Sequence, residues 1–383
     1  MTNPESQEYY FGPGVITKLE KILERLNPKK IFLVTGKSSF AASGAEAALT
    51  SLAEKYQIHR FNDFTPNPKL KDIRKGIKEY KEFQPDVVIA VGGGSTIDVA
   101  KACNIFVAQN DDDYEAYIKK QRIISKPGKP FIAIPTTAGT GSEATHFAVI
   151  YINKTKYSLA HTEFILPDIS IVDPELIASA PKKVRASAAL DVLSQAIESF
   201  WSVHSTEESR QYVAEAIQLL IPNIVKAIKD KDQEAIIAVT KAANLAGKGI
   251  NISKTTASHA LSYTLTSLFG VPHGHAAIIT VPAMLEFNST VTKADLLDRR
   301  GLEFAQERIK ELVSLIGASS VAEAKASLEQ IIEEVGLENR LENILKSRRN
   351  LELVVQGLNL ERAKNNPRRL TKKNLQEILN SIW

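Results

Sequence analysis

The run DVVIAVGGGSTIDVAK, residues 86–101, constrains the fold more than any other stretch of the chain. Five consecutive apolar residues, Val87 to Val91, read as a strand buried on both faces. The strand stops at Gly92, Gly93 and Gly94, and a helix is expected to begin there with Ser95 or Thr96 as N-cap. A strand apolar on both faces needs cover on both sides, which helices packed on a parallel sheet supply. Similar runs recur in KKIFLVTG (29–36) and PFIAIPTT (130–137), with AVIYI (148–152) as a fourth strand. Between them, GVITKLEKILERL and residues 69–83 carry apolar residues at helical spacing. The first half therefore reads as an α/β domain with a parallel sheet.

Beyond Pro181 the β-branched runs give way to long helical patterns at 186–201, 206–228, 233–246, 254–268, 300–315 and 321–335. The expected organisation is an α/β domain over residues 1–180 and an all-helical domain over 181–383. A chain of 383 residues is long enough for two such cores. Its net charge of +4 gives no reason to invoke nucleic acid, and the basic runs KSRRN and NNPRRLTKK read as solvated faces and helix ends. No apolar run approaches the roughly 20 residues needed to span a bilayer, and MTNPESQEYYFGPG lacks a signal peptide's apolar core. The single cysteine, Cys103, excludes an intramolecular disulfide framework. A cytoplasmic enzyme is expected.

Three segments carry candidate chemistry. At the glycine turn, Gly92, Gly93, Gly94 and Ser95 allow a pyrophosphate to approach a helix N-terminus, although the same turn also serves a tight connection without ligand. IPTTAGTGSEAT offers Thr136, Thr137, Thr140 and Ser142 as hydrogen-bond partners for a dinucleotide, or as a helix-capping loop. Two such loops at successive strand ends suit a site outside the carboxyl ends of a parallel sheet. In the helical half, Asp191 and Gln195 stand at i and i+4 and share a face. Thr255, His259, Ser262 and Tyr263 form a polar stripe on a helix expected over 254–268, and His273 follows the break at Gly270. That stripe needs partners if it is buried.

Taken in order, GGGSTIDVAK, PTTAGTGSEAT, the Asp191 helix and HALSYTLTSLFGVPHGHAAIITVP resemble the iron-containing (group III) alcohol dehydrogenases. The resemblance runs from FGPG to NNPRRLT and implies the dehydroquinate synthase-like architecture, a Rossmann-like N-terminal domain followed by an all-helical one. It also implies a nicotinamide cofactor, NADPH or NADH, and a divalent metal, Fe or Zn. By position, Asp191, His259 and His273 match three family metal ligands, while Gln195 stands where the fourth is normally a histidine. Ala189 replaces a usual glycine, and Tyr263 replaces a further family histidine. A neutral, harder amide oxygen at Gln195 is expected to bind Fe²⁺ or Zn²⁺ less tightly than imidazole.

SQAIESFWSVHSTEESR and GKGINISKTTASHALSY, which carry Gln195 and Tyr263, are similar to the phosphonoacetaldehyde reductase subgroup, which reduces an aldehyde bearing a phosphonate. Lys254, Thr255, Ser258 and Tyr263, with Lys248 or Arg185, are the expected substrate contacts. The metal would polarise the carbonyl and the cofactor would deliver hydride, with Tyr263 or His275 open as proton carriers. In VTGKSS, Gly36 stands where NAD-preferring members carry aspartate, and Lys37, Ser38 and Ser39 suit a 2′-phosphate, which favours NADPH. Asp98, Asn67 and Lys156 also match family cofactor positions. A homodimer or larger homo-oligomer is expected. The alternatives are an enzyme for another small aldehyde or alcohol, and a nucleotide-binding relic without metal. Lyase chemistry of the dehydroquinate synthase kind is disfavoured by the PTTAGTGSE loop.

Overall fold

The strand expected at 87–91 forms, with five others, a wholly parallel sheet. The computed structural model describes residues 7–153, 155–358 and 362–383, which fall into two units, Met1–Pro181 and Lys182–Trp383. The first unit runs β1 (Glu8–Phe11), α1 (Lys18–Leu26), β2 (Lys30–Thr35), β3 (Gln57–Phe61), α2 (Leu70–Phe83), β4 (Val87–Gly92), α3 (Gly94–Ala108), β5 (Phe131–Pro135), β6 (Phe147–Ile152), β7 (Thr155–Ala160) and β8 (Ile169–Val172). The sheet order is β1-β8-β5-β4-β2-β3.

Alternation along the strands divides the core in two. Phe32, Val34, Val88 and Ala90 face one layer with α2 and α3, while Ile31, Leu33, Val87, Ile89 and Val91 face the other with α1. Each fully buried valine or isoleucine is worth about 1.5–3 kcal/mol of apolar transfer. After β2 the chain goes outward to β3; after β4 it goes the other way to β5. The reversal lies between β2 and β4, the switch point at which parallel sheets bind ligands. The loops after Thr35, Gly92 and Pro135 leave the same end of three adjacent strands.

Several expectations are corrected. The strand at 148–152 exists, but it pairs antiparallel with β7 in a separate hairpin. The N-cap of α3 is Gly93, so Ser95 and Thr96 lie inside the first turn. The short strands β1, β3, β7 and β8 were not anticipated.

The second unit is helical. Its principal helices are α4 (Lys182–Trp201), α5 (Glu207–Leu220), α6 (Gln233–Ser253), α7 (Ala257–Phe269) and α8 (His273–Ile278). The pattern at 206–228 is split into α5 and Ile224–Lys229 around Pro222, whose ring and missing N–H disfavour a helix interior. The helix expected from 254 starts at Ala257 instead, because Lys254 takes a left-handed φ of 61°. Thr255 therefore precedes the helix that carries His259.

From Arg185 onward, every residue of α4 except Ala188 is buried, so this helix is a core element surrounded by others. Its packing against α8 is close. A Cβ on Gly274 would lie 1.9 Å from the Ser187 carbonyl oxygen and 2.7 Å from Asp191 Cβ. Gly274→Ala is therefore expected to destabilise the protein by about 1–3 kcal/mol or more through overpacking, read from urea unfolding. A wild-type midpoint would show that α8 can shift away without cost.

Candidate functional site

Asp191, Gln195 and Glu198 lie along one face of α4 at i, i+4 and i+7. This face meets α7 and α8. One donor atom each from Asp191, His259 and His273 lies within 4.8 Å of the others, the only such triad among the described residues. His259 Nε2 stands 3.4 Å from Asp191 Oδ1, and the two imidazoles meet edge to face with centroids 5.5 Å apart. Gln195 Nε2 donates to Asp191 Oδ2 at 3.0 Å. Its Oε1, like His259 Nε2, is buried without a hydrogen-bond partner. Buried polar atoms are normally satisfied. A carboxylate and two imidazoles gathered so closely, with a carboxamide hydrogen-bonded to the carboxylate, fit a divalent cation of the Fe or Zn type.

The surrounding hydrogen bonds select the imidazole tautomers. Ser262 Oγ spends its one hydrogen on the His259 carbonyl oxygen at 2.8 Å. It must therefore accept from His273 Nδ1, 3.3 Å away, which leaves the lone pair on His273 Nε2. His259 Nδ1 makes a short contact with Glu198 Oε2. Burial disfavours charge on His259, but Glu198 and then Asp191 overcome it and raise the ring to about 10 in the metal-free protein. For His259 Nε2 to serve as a ligand, that proton would have to leave.

Glu198 was missed in the sequence because a glutamate on a helix ordinarily faces water. Its signal was available: it is the third member of the Asp191–Gln195 stripe, preceded at once by the apolar pair Ala196 and Ile197 and followed, after Ser199, by Phe200 and Trp201.

The other expected residues of this unit are more dispersed. Tyr263 stacks on His273 with centroids 6.1 Å apart. Ser258 is buried beside His259, and its Oγ has no hydrogen-bond partner. Lys254 is exposed, and the Thr255 carbonyl accepts from Asn365. Lys248 sits over the Tyr212 ring, and Arg185 donates to the Ile228 carbonyl. His275 is buried and donates from Nε2 to the Glu338 carbonyl at 2.6 Å.

In the first unit, the strand-end loops are locked to one another. Gly94 has no room for a side chain, since a Cβ would lie 2.5 Å from Thr140 Oγ1. Thr136 N donates to the Gly92 carbonyl, and the buried Thr136 Oγ1 has no partner. Asn67 N donates to Ser95 Oγ. Thr137 flanks Gly93. Gly36 and Ser38 occupy the turn after β2, where Lys37 is exposed and 3.8 Å from Asp63.

Asp98 does not face open space. Its two oxygens accept from Ser142 Oγ and Val149 N, both at 3.0 Å, and burial raises its pKa against the pull of Lys101 and Lys156. Lys101, one turn on, is buried and donates to the carbonyls of Ser142, Thr145 and Phe147 at 2.6–2.9 Å. Burial lowers its ammonium to about 8, with Asp98 and Glu143 opposing, so the group stays charged at neutral pH. Asp98 and Lys101 thus hold the Thr140–Ser142 loop against α3. Lys101→Met leaves three carbonyl oxygens without this donor, at about 1–3 kcal/mol each. The variant is expected to lose several kcal/mol in urea unfolding followed by far-ultraviolet circular dichroism. An unchanged midpoint would mean that water replaces the ammonium.

Family models agree with this architecture. Residues 6–174 match the iron-containing alcohol dehydrogenase model, and residues 185–383 match the C-terminal model of the same family. The chain is 30% identical over 299 residues to long-chain-alcohol dehydrogenase 1 of Geobacillus thermodenitrificans, covering 76% of this chain and 75% of that one. It is also 30% identical to the phosphonoacetaldehyde reductase of Streptomyces viridochromogenes, covering 79% and 77%. Among solved structures, it superposes on the NAD⁺ complex of sulfoacetaldehyde reductase from Bifidobacterium kashiwanohense with a TM-score of 0.87, 29% identity and coverage of 98% and 97%. The chain therefore belongs to the iron-containing alcohol dehydrogenase family and is an oxidoreductase interconverting aldehydes and alcohols.

Proposed function

We propose that this enzyme reduces phosphonoacetaldehyde to 2-hydroxyethylphosphonate with NADPH. The observation that carries the chemistry is the triad of buried Asp191 and His259 with part-buried His273, beside which Gln195 donates to Asp191 and keeps a buried Oε1 without a hydrogen-bond partner. These four residues would hold Fe²⁺ or Zn²⁺. Such an ion supplies Lewis acidity toward a carbonyl oxygen. The reduced nicotinamide supplies the hydride. The protein's own part is positional: Gln195 orients the Asp191 carboxylate, Ser262 orients His273, and Tyr263 stacks on the outer imidazole.

Two relatives support the substrate, since their names give reductases of aldehydes bearing a phosphonate or a sulfonate. The buried Ser258 hydroxyl has a hydrogen bond to give, and Thr255 and Lys254 stand three and four residues before it. We take these three, with Tyr263, as the substrate contacts. For the cofactor we take the loops bearing Gly36, Lys37, Ser38, Asn67, Gly92, Gly93, Gly94, Ser95, Thr136, Thr137, Thr140 and Ser142, with Asp98 acting through Ser142, and Lys156. Lys37 and the absence of an acid at Gly36 favour the 2′-phosphate. Arg60 donates from Nε to Thr35 Oγ1, just before that turn, and from a terminal nitrogen to Glu46 Oε1, both at 2.8 Å. No helix among the described residues is long and apolar enough to cross a membrane. We infer a cytoplasmic homodimer or larger homo-oligomer.

Steady-state rates test the substrate. kcat/KM for phosphonoacetaldehyde is expected to exceed that for propanal or lactaldehyde by at least about tenfold, the ratio that one hydrogen bond to a charged group of about 1.5 kcal/mol confers; equal values would remove the phosphonate from the assignment. NADPH is expected to outcompete NADH, and Lys37→Ala to narrow that gap without changing kcat for NADH. Dialysis against a chelator should abolish turnover and Fe²⁺ or Zn²⁺ should restore it. Protein lacking both metal by elemental analysis and turnover with every aldehyde would be a nucleotide-binding relic.

A further inference from the structure

Glu198 has no exposed surface, yet it belongs to neither the triad nor any ion pair with lysine or arginine among the described residues. Its carboxylate is instead surrounded by donors from the start of α7. Oε1 accepts from Thr256 Oγ1 at 2.6 Å and from Ser258 N at 2.7 Å, and Oε2 accepts from His259 N at 3.3 Å and from His259 Nδ1. Thr256 is the N-cap of that helix but makes no cap bond of its own there. A side chain from α4 therefore caps α7, satisfying N–H groups that a helix leaves unpaired and meeting its positive end with a negative charge.

We propose that Glu198 is a positioning residue for the metal site: by capping α7 and accepting from His259 Nδ1, it presents the Nε2 lone pair of His259 to the cation. The proposal rests on the metal-dependent reading above. Carboxylates in this relation to a ligating imidazole fix its tautomer, and losing them commonly costs about 10–100-fold in metal affinity.

Glu198→Gln is nearly isosteric. It must either point an NH₂ group at His259 Nδ1, which drives hydrogen onto Nε2, or turn that group toward the donors of α7. Chelator competition with Co²⁺ or Zn²⁺ is expected to give a Kd at least about tenfold weaker than wild type, with a changed visible spectrum for the Co²⁺ form. Thr256→Val removes one cap donor but leaves the ring contact. It should lower the thermal midpoint while keeping the metal Kd within about threefold of wild type, below the tenfold floor for losing such a carboxylate. A folded Glu198→Gln protein with wild-type affinity, or equal weakening by Thr256→Val, overturns the proposal. Should Glu198→Gln fail to fold, ¹⁵N-histidine spectra of the Zn²⁺-loaded wild type decide it: hydrogen on His259 Nδ1 supports the proposal, and hydrogen on Nε2 refutes it. A wild-type protein that binds neither ion refutes the functional reading itself, and this proposal with it.

Discussion

The C-terminal unit is organised around a charge that water never reaches. Glu198 is tolerable in the core only because four donors of one neighbouring turn converge on it. Removing any of those partners would leave a buried carboxylate short of compensation. The register of α4 against α7 is thereby specified more sharply than apolar packing alone would require. The same helix face holds Gln195 and Asp191 one and two turns away, so whatever fixes that register also fixes the spacing of the donor cluster. Trp201 reinforces it through Thr256, while Ser199 and Ser202 bind Ser253 at the end of α6.

A comparable device operates in the N-terminal unit with the opposite sign. Lys101 is a buried cation solvated by three carbonyl groups, and Asp98 stands one turn before it. Together they tie the hydroxyl-rich loop to the helix that follows the glycine turn. In both units an ionised side chain withdrawn from solvent arranges backbone, and the groups it arranges are those nominated for ligand contact.

Much of the sheet was legible because β2, β4 and β5 are apolar on both faces, a pattern that few other environments impose. β8 is equally buried but only four residues long, and β1 is an edge strand of intermediate exposure, so neither leaves a periodic trace. The direction of β6 depends on its partner β7, which local sequence does not reveal. For the donor cluster, spacing on α4 was visible, but the approach of α7 and α8 entered through family resemblance; residues 191 and 259 are too far apart in the chain for periodicity to join them. Glu198 and Lys101 escaped notice for one reason: ionisable residues on helices are read as solvent-facing, and only tertiary donors and acceptors make them tenable inside.

Gln195 has one more consequence. An imidazole can be claimed by acid before a cation reaches it; a carboxamide cannot. In the proposed metal site, with the amide of Gln195 as the fourth donor, hydrated protons would contest the cluster only through two rings and one carboxylate. Acidification would then have one fewer handle by which to strip the ion, a gain in retention set against the weaker donor strength of the amide.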